Sequence, residues 1–305
     1  MNKHVLVLMG GISSEREVSI ASGIAVTKAL EKTDYIVTTI DVNRDLKTLI
    51  DTIEAKKPLV VFNALHGRFG EDGSIQGILD IMNIPYTHSG ICASALSMNK
   101  PIAKSIFASV GIRVPDWKIV KKSQVLIDDV LPRPYVIKPL NEGSSVGIYI
   151  VSDDKTSFKD ENWSFGNLVL VERFIPGREL TVSVMGNKAL AVTEIISEHK
   201  FYDYKSKYTL GKSKHIIPAP LPTEIYKEAM QTAIKAHQTL GCRGISRADF
   251  RYDDTEDEQG KLYLLEVNTQ PGMTLTSLVP EQAIYSGINF TQLVTWMVEN
   301  AQCDG

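Results

Sequence analysis

Hydrophobic and polar residues alternate in two runs near the C-terminus, ISRADFRY at 245–252 and KLYLLEVN at 261–268. A turn-forming stretch from Asp253 to Gly260 separates them, so the pattern predicts a β-hairpin. Because successive strand side chains point to opposite faces, Arg247 and Asp249 share one face of the first strand. Glu266 and Asn268 likewise share one face of the second strand. Three oxygen-bearing side chains and one guanidinium can therefore converge on a single surface.

The first third of the chain alternates apolar runs with amphipathic stretches. The pattern predicts strands at 4–9, 35–42 and 58–65, with helices before the second strand and at 45–56. Gly10-Gly11 ends the first strand, and Ser14 with Glu17 resembles a capping box that opens the first helix. This β-α-β-α-β order predicts a parallel sheet, in which ligands bind at the carboxyl ends of the strands.

The pattern of predicted elements changes at about 95–100, where a domain boundary is expected. A helix is expected over 94–111. The strands that follow, at 133–140, 146–151, 167–175, 178–185 and 188–196, favour an antiparallel arrangement. Pro176-Gly177 and Gly186-Asn187 are interpreted as hairpin turns. The polar segment 199–215 lacks periodicity and is interpreted as a long lid loop. Further helices are expected at 224–240 and 288–300.

Composition narrows the class of protein. The 305 residues are 43% hydrophobic and 23% charged, with a net charge of −3, so nucleic acid is not expected as a partner. No apolar run reaches the ~20 residues that span a bilayer, and the first apolar run is too short for a signal peptide. The three cysteines lack metal-ligand spacing and are interpreted as reduced thiols of a cytoplasmic protein. Cys92 or Cys242 is weighed as a nucleophile, but a small buried hydrophobe is the favoured interpretation.

The hairpin and one loop carry the candidate chemistry. Mg²⁺ prefers carboxylate and amide oxygens and keeps positions for phosphate and water, so the hairpin is typical of a metal–nucleotide site. Residues 142–147, EGSSVG, follow Lys138 and can approach phosphates through backbone amides and hydroxyls. Taken alone, strand-end carboxylates are usually solvated, and a Gly/Ser loop is usually a surface turn. The glycine pair at 10–11 does not fit the dinucleotide fingerprint.

Seven motifs in order resemble those of the D-alanine–D-alanine ligases, members of the ATP-grasp superfamily. They are GGISSEREVS (10–19), ALHGRFGEDGSIQG (64–77), ASALSMNK (93–100), IKPLNEGSSVG (137–147), FYDYKSKY (201–208), SRADF (246–250) and EVNTQPGMTLTSLVP (266–280). The resemblance implies an α/β and α+β protein, with an N-terminal parallel α/β domain followed by a two-part ATP-grasp fold. The implied domains are 1–97, 98–177 and 178–305, the last carrying the lid loop 199–215.

The resemblance also implies a role for individual residues. The implied catalytic residues are Glu15, Ser144, Tyr208, Arg247 and Gly272, with Arg247 and the Gly272 backbone at the oxyanion. The implied substrate-binding residues are His66 at the first D-alanine and Ser277 and Leu278 at the carboxylate of the second. ATP is expected to contact Lys100, Lys138, Glu172, Glu179 and Lys207. Two Mg²⁺ (or Mn²⁺) ions are expected on Asp249, Glu266 and Asn268.

The implied activity is ATP-dependent joining of two D-alanines through an acyl phosphate, for peptidoglycan precursor synthesis by a cytoplasmic homodimer. Acyl phosphates react with water, which gives the 199–215 loop a reason to close, and Tyr208 favours D-alanine as acceptor. The alternatives are a ligase for D-lactate or D-serine, a non-catalytic ATP-binding regulatory module, and a dinucleotide-dependent oxidoreductase. The last depends only on the N-terminal pattern and the glycine pair.

Overall fold

The structure, a computed structural model, describes residues 3–143, 147–152, 158, 163–197, 213–255 and 260–304. Three sheets organise these residues: a three-stranded parallel sheet, a four-stranded sheet and a five-stranded sheet. The fold class predicted from the sequence, a parallel α/β unit followed by antiparallel sheets, is therefore confirmed.

The parallel sheet is formed by the first third of the chain, with the order β2-β1-β3. Its strands and the helices around it are β1 (His4–Gly10), α1 (Arg16–Leu30), β2 (Ile36–Val42), α2 (Leu46–Lys56), β3 (Val60–Asn63) and α3 (Ser74–Ile81). Residues 5–8 of β1 are fully buried, because helices cover both faces of the sheet. Gly10 and Gly11 both have positive φ and direct the chain from β1 towards α1.

The start of α1 differs from the prediction. The helix begins at Arg16 with Glu15 as N-cap and without a side-chain capping bond, so the predicted Ser14–Glu17 capping box is wrong. Ser13 acts instead: its Oγ accepts from Glu15 N at 3.1 Å and donates to His66 O at 2.6 Å. A local hydroxyl turn thus delays the helix and holds Glu15 next to the loop that follows β3.

The helix expected over 94–111 is two helices, α4 (Ile91–Met98) and α5 (Lys100–Ser109). Asn99, with ψ 89°, lies outside the helical region and caps α5 by accepting from Ile102 N at 3.2 Å. Pro101 occupies the first turn of α5, where its missing N–H costs nothing. The break turns Lys100 towards the middle of the molecule.

The four-stranded sheet is antiparallel, as predicted, with the order β4-β7-β5-β6. Its elements are β4 (Trp117–Lys121), α6 (Lys122–Ile127), β5 (Tyr135–Lys138), β6 (Tyr149–Val151) and β7 (Leu168–Arg173). Sequence patterns missed β4 and α6, which are short. The hairpin predicted at Pro176-Gly177 is wrong, because that turn leads from β7 to a strand of the other antiparallel sheet.

The five-stranded sheet has the order β10-β9-β8-β11-β12. Its strands are β8 (Arg178–Met185), β9 (Lys188–Ser197), β10 (Ser213–Ile216), β11 (Ile245–Asp253) and β12 (Lys261–Asn268). The hairpins predicted at Gly186-Asn187 and between β11 and β12 are confirmed. Residues 213–215, predicted as loop, belong to β10. The rest of the predicted lid, 199–212, lies outside the described residues.

Three helices complete the fold: α7 (Thr223–Thr239), α8 (Leu278–Tyr285) and α9 (Phe290–Glu299). The predicted apolar stripe of α7 is buried against the five-stranded sheet, and Gly241, with φ 71°, follows the helix. Helix α8 was not predicted. Helix α9 returns to the parallel sheet, where Met297 and Val298 share a core with Val5 and Val7.

The cysteines are free in the structure. Cys92 is exposed, so its interpretation as a buried hydrophobe is wrong: it faces outward on the first turn of α4. Burial raises the pKa of the Cys242 thiol to about 12, which disfavours the thiolate that a nucleophile needs.

Candidate active site

A cavity of about 680 Å³ lies where the β11–β12 hairpin, the start of α8, the loops after β1 and β3 and the α4–α5 junction meet. It gathers most of the residues singled out in the sequence. Those lining it are Glu15, His66, Lys100, Glu179, Arg247, Asp249, Glu266, Asn268, Gly272, Ser277 and Leu278. Lys138 and Glu172 do not line it and are buried behind it. Ser144, Lys207 and Tyr208 lie outside the described residues.

The hairpin register brings its four polar side chains together. Arg247 pairs with Asn268 and Asp249 pairs with Glu266 across the two strands, so all four project from the same face. Directly after Asp249 the register shifts by one residue, and the two strands continue to pair from Phe250 and Leu264. The sequence expectation of one shared surface agrees with this geometry.

The Asp249 carboxylate is held from two sides. Arg247 donates from Nε and Nη2 to its two oxygens, each at 2.8 Å, and Thr181 Oγ1 donates to Oδ1 at 2.7 Å. This paired geometry fixes the plane of the guanidinium as well as that of the carboxylate. Thr181, which is fully buried on β8, carried no signal in the sequence.

Lys100 joins two parts of the cavity wall. Its Nζ donates to Glu142 O at 2.5 Å and lies 3.3 Å from Glu266 Oε2. The ammonium at the start of α5 therefore contacts both the loop expected to bind phosphate and the strand expected to bind metal. An ammonium between two such elements is placed to neutralise a polyanion.

The donor set of the hairpin fits a hard divalent cation. Asp249 and Glu266 supply carboxylate oxygens and Asn268 an amide oxygen, which are ligands that Mg²⁺ accepts. In the described part of the chain no three His, Cys, Asp or Glu residues cluster as a protein-only metal site. A cation held by two carboxylates and one amide keeps positions for phosphate oxygens and water, which is typical of magnesium–nucleotide sites. Asn268 is oriented by the bond that its Oδ1 accepts from Gln270 N at 3.0 Å.

The opposite wall comes from the N-terminal sheet. His66, at the end of β3, is buried, with Nδ1 3.0 Å from Glu71 Oε1 and Nε2 3.2 Å from Ser22 Oγ. Both ring nitrogens are thereby engaged, so the orientation of the imidazole is fixed. Glu71 was missed by the sequence reasoning, although it lies five residues from His66 in the same motif.

Glu15 reaches across the cavity to the glycine loop. A Cβ added to Gly143 would lie 3.0 Å from Glu15 Oε2, and one added to Gly67 would lie 2.7 Å from the same atom. Both loops therefore come close to the carboxylate, and a side chain at either glycine would require the Glu15 side chain to shift. The expected link from Ser144 and Tyr208 to Glu15 involves residues outside the described part of the chain.

The third wall is the N-terminal end of α8. Ser277 is the N-cap, and its Oγ lies 2.7 Å from Thr274 Oγ1 and accepts from Thr274 N at 3.1 Å. A Cβ on Gly272 would lie 3.2 Å from Ser277 Oγ, so the Gly272 backbone approaches this hydroxyl closely. Leu278 is buried against Ile195 of β9. Helix N-termini favour carboxylates through their unpaired N–H groups and dipole.

The sequence patterns did not predict one further charged contact at the rim of the cavity, between His215 and Glu281. His215 Nδ1 lies 2.6 Å from Glu281 Oε2, and both residues line the cavity. His215 was expected to lie in the lid loop, and Glu281 had no motif to mark it.

The remaining predicted nucleotide contacts are charged and paired. Lys138 contacts Glu172 at the back of the cavity, and Arg251 lies 3.8 Å from Glu179. Burial works against ionisation of Glu172. The ammonium groups of Lys104 and Lys138 outweigh this effect and lower the pKa of Glu172 to about 2. The carboxylate is therefore ionised at neutral pH.

The parallel sheet and the five-stranded sheet are also joined by buried hydrogen bonds next to the cavity. Asn63, the last residue of β3, donates from Nδ2 to Gln270 Oε1 at 2.8 Å, and Gln270 Nε2 donates to Leu65 O. All of these groups are buried. The loops after β3 and β12, which both contribute residues to the cavity wall, are thus joined by contacts between residues about 200 positions apart.

Comparison with known proteins agrees with this geometry. A family model described as "D-ala D-ala ligase C-terminus" matches residues 106–299, and "D-ala D-ala ligase N-terminus" matches 4–57 and 43–89. The chain belongs to the D-alanine–D-alanine ligase family. The curated D-alanine–D-alanine ligases of Rhodospirillum rubrum and Paramagnetospirillum magneticum are each 56% identical to it, with 100% of both chains covered.

Solved structures of the family have the same fold. The D-alanine–D-alanine ligase of Bacillus anthracis complexed with ATP superposes with a TM-score of 0.80 at 32% identity, covering 98% of this chain and 97% of that one. The expected two-part ATP-grasp fold is therefore confirmed. Across the described residues, the structure contains no helix that is long and apolar enough to cross a membrane.

Proposed function

We propose that this chain is an ATP-dependent ligase that joins two D-alanines through an acyl phosphate, releasing ADP and phosphate, for peptidoglycan precursor synthesis. The observation that carries the proposal is the convergence of Arg247, Asp249, Glu266 and Asn268 on one cavity, in a chain 56% identical over its whole length to curated D-alanine–D-alanine ligases. Membership of the family alone does not fix the acceptor, which is why the walls of the cavity matter.

The first D-alanine occupies the wall formed by Glu15 and His66. The Glu15 carboxylate pairs with the substrate ammonium, and the imidazole, fixed by Glu71, contacts the same molecule. Both side chains are less than a tenth exposed, so a charged substrate group meets them with little competing water. Its carboxylate then points towards the hairpin and the phosphates.

The nucleotide lies between the two antiparallel sheets, with Lys100 and Lys138 at the phosphates and Glu172 and Glu179 towards adenine and ribose. Lys100 supports this placement because its ammonium already spans the glycine loop and β12. Asp249, Glu266 and Asn268 would hold two Mg²⁺ or Mn²⁺ ions, which would supply positive charge at the transferring phosphoryl group.

The second D-alanine lies at the N-terminus of α8, with its carboxylate at Ser277 and Leu278. Arg247, held flat by Asp249, and the Gly272 backbone N–H lie at the same end of the cavity and stabilise the oxyanion formed when the amine attacks. Ser144 and Tyr208 link to Glu15, and Lys207 reaches the phosphates from the lid. These three are assigned by resemblance and lie outside the described residues.

The cellular location, the oligomeric state and the domain boundaries are also assigned by resemblance to the family. The chain works in the cytoplasm as a homodimer, with domains at 1–97, 98–177 and 178–305. The three-sheet organisation supports this division, since each segment contributes one sheet of its own.

The deciding experiment measures ADP release with ATP, Mg²⁺ and D-alanine at neutral pH and identifies the dipeptide by mass. D-alanyl-D-alanine with stoichiometric ADP is expected, with D-lactate and D-serine as matched acceptors. Faster phosphate release with D-lactate would replace the acceptor assignment. ATP binding without D-alanine-dependent ADP would leave the regulatory module as the function.

A further inference from the structure

Three charged side chains meet in the interior behind the cavity. Lys104, Glu172 and Lys138 are 1%, 2% and 7% exposed. Lys104 Nζ lies 2.9 Å from Glu172 Oε2, and Lys138 Nζ contacts Glu172 Oε1. One carboxylate therefore serves two ammonium groups, and the buried triad carries a surplus positive charge.

Burying the extra positive charge costs free energy, and Lys104 is the residue whose charge is not balanced. Burying an ammonium is unfavourable unless a carboxylate balances it, and Glu172 can balance only one. Burial lowers the pKa of Lys104 despite Glu172. Burial acts on Lys138 too, but Glu172 and Glu266 outweigh it and raise the pKa of Lys138. Within the described residues, Lys104 Nζ and Glu172 Oε2 lack a well-directed hydrogen bond, so charge alone holds that contact.

Lys104 also connects two parts of the fold. It belongs to α5, whose Ala103 and Phe107 pack in the core of the five-stranded sheet. Glu172 and Lys138 belong to neighbouring strands, β7 and β5, of the four-stranded sheet. Lys104 therefore fixes a carboxylate of one sheet from a helix anchored on the other. Glu266 and Glu179, which influence Lys138, line the cavity.

We propose that Lys104 is a positioning residue of the nucleotide site. It holds the Glu172 carboxylate, through Glu172 it orients the Lys138 ammonium, and its uncompensated charge is neutralised when a nucleotide polyphosphate binds. The proposal depends on the proposed function only in taking ATP as that nucleotide. Lys104 is not among the residues that line the cavity, and it was not singled out in the sequence.

A buried lysine can position a site or stabilise the fold, and these two roles predict opposite effects of Lys104→Met on thermal stability. Methionine keeps the unbranched apolar stem and removes the charge, which leaves Lys138 and Glu172 as a balanced pair. A positioning role therefore predicts a ligand-free protein that melts at the same temperature as the wild type or higher. It also predicts that the Kd for ADP and for a non-hydrolysable ATP analogue rises about tenfold, as loss of a charged contact implies. The KM for D-alanine stays within about twofold.

Calorimetric titration and thermal melting of the full chain test this. Lys118→Met is the matched control, because Lys118 is exposed on β4 beside β7 and the substitution is the same. Lys104→Arg, which keeps the charge, is expected to recover most of the nucleotide affinity. A Lys104→Met protein that fails to fold, melts below the control, or binds ADP as the wild type does overturns the proposal. Binding is measured directly, so a wild type without D-alanine-dependent ADP release would sink the proposed function and leave this test intact.

Discussion

Arg247 and Asp249 lie two residues apart on one face of β11 and share two hydrogen bonds of 2.8 Å. A carboxylate expected at a metal and a guanidinium expected at an oxyanion are thereby locked into one rigid unit. A change at either residue is therefore expected to disturb both the phosphoryl transfer and the amide-forming step.

Arg247→Lys tests this unit. Lysine keeps the charge but cannot make the paired contact, so kcat is expected to fall roughly 10²–10³-fold, as for loss of an oxyanion donor. The affinity for an ATP analogue changes little. ADP release and calorimetry measure the two quantities.

Arg178→Lys is its control, because Arg178 makes the same kind of paired contact with Glu194 and does not line the cavity. Near-normal turnover is expected there. Equal losses in the two variants would mean that paired Arg–carboxylate contacts support the fold rather than the chemistry.

Glu266→Gln tests the metal assignment. Glutamine keeps the volume and removes the charge, so the Mg²⁺ concentration for half-maximal rate is expected to rise by about tenfold or more. Stability is expected to change less than the Mg²⁺ requirement, because glutamine keeps the volume of a side chain that is 32% exposed. A Mg²⁺ titration of ADP release and a thermal melt measure both effects.

Glu228→Gln, on the surface of α7, supplies the matched substitution for that experiment. An unchanged Mg²⁺ requirement in Glu266→Gln would remove Glu266 from the metal site.

Glu71→Gln tests how His66 is held. Loss of the carboxylate at Nδ1 leaves the tautomer and orientation of the buried ring less defined. The KM of the first D-alanine is expected to rise several-fold, with the Kd of ATP unchanged. Initial rates over a range of D-alanine concentrations measure this, with exposed Glu54→Gln as control. A matching loss of ATP affinity would show that Glu71 supports the whole cavity instead of one substrate.

The buried imidazole of His237 makes stability depend on pH. Burial lowers its pKa from 6.5 to about 4, while Ser246 Oγ lies 2.7 Å from Nδ1. The unfolded chain therefore takes up a proton near pH 6.5 that the folded chain does not. The stabilisation is complete above that pH and is lost as the pH falls towards 4.

Between pH 7 and pH 5 the loss from this one group is about 2 kcal/mol. Urea unfolding at the two pH values measures it, and His237→Gln is expected to lose correspondingly less on acidification. If wild type and variant lose the same free energy, the imidazole is not held neutral in the fold.

The hairpin could be predicted because its information is local. A period of two and a polar turn fix which side chains share a face. The direct pairing of Asp249 with Glu266 does not follow from them, because it depends on a register shift after Asp249 that the strand pattern does not show. The apolar stripe of α7 and its terminal Gly241 are equally local. Family resemblance then supplied the roles that patterns cannot carry.

What the sequence could not reveal depends on contacts between distant residues. Pro176-Gly177 looks like any hairpin turn, yet it joins two different sheets, and nothing in the dipeptide records which sheet comes next. The break at Asn99 is different, because an Asn N-cap followed by Pro101 in the first turn is a local signal of a helix start. Lys104 looks like an ordinary solvated lysine, since its partner Glu172 is far along the chain.

The link between Asn63 and Gln270 has a consequence for how this enzyme can be divided or engineered. Neither the opening βαβ segment nor the closing portion carries the whole cavity, because both contribute residues to its wall and the Asn63–Gln270 bond joins them. Split halves are expected to regain activity only when they re-form this buried amide junction. Grafting one half onto a relative requires a compatible amide pair on the other.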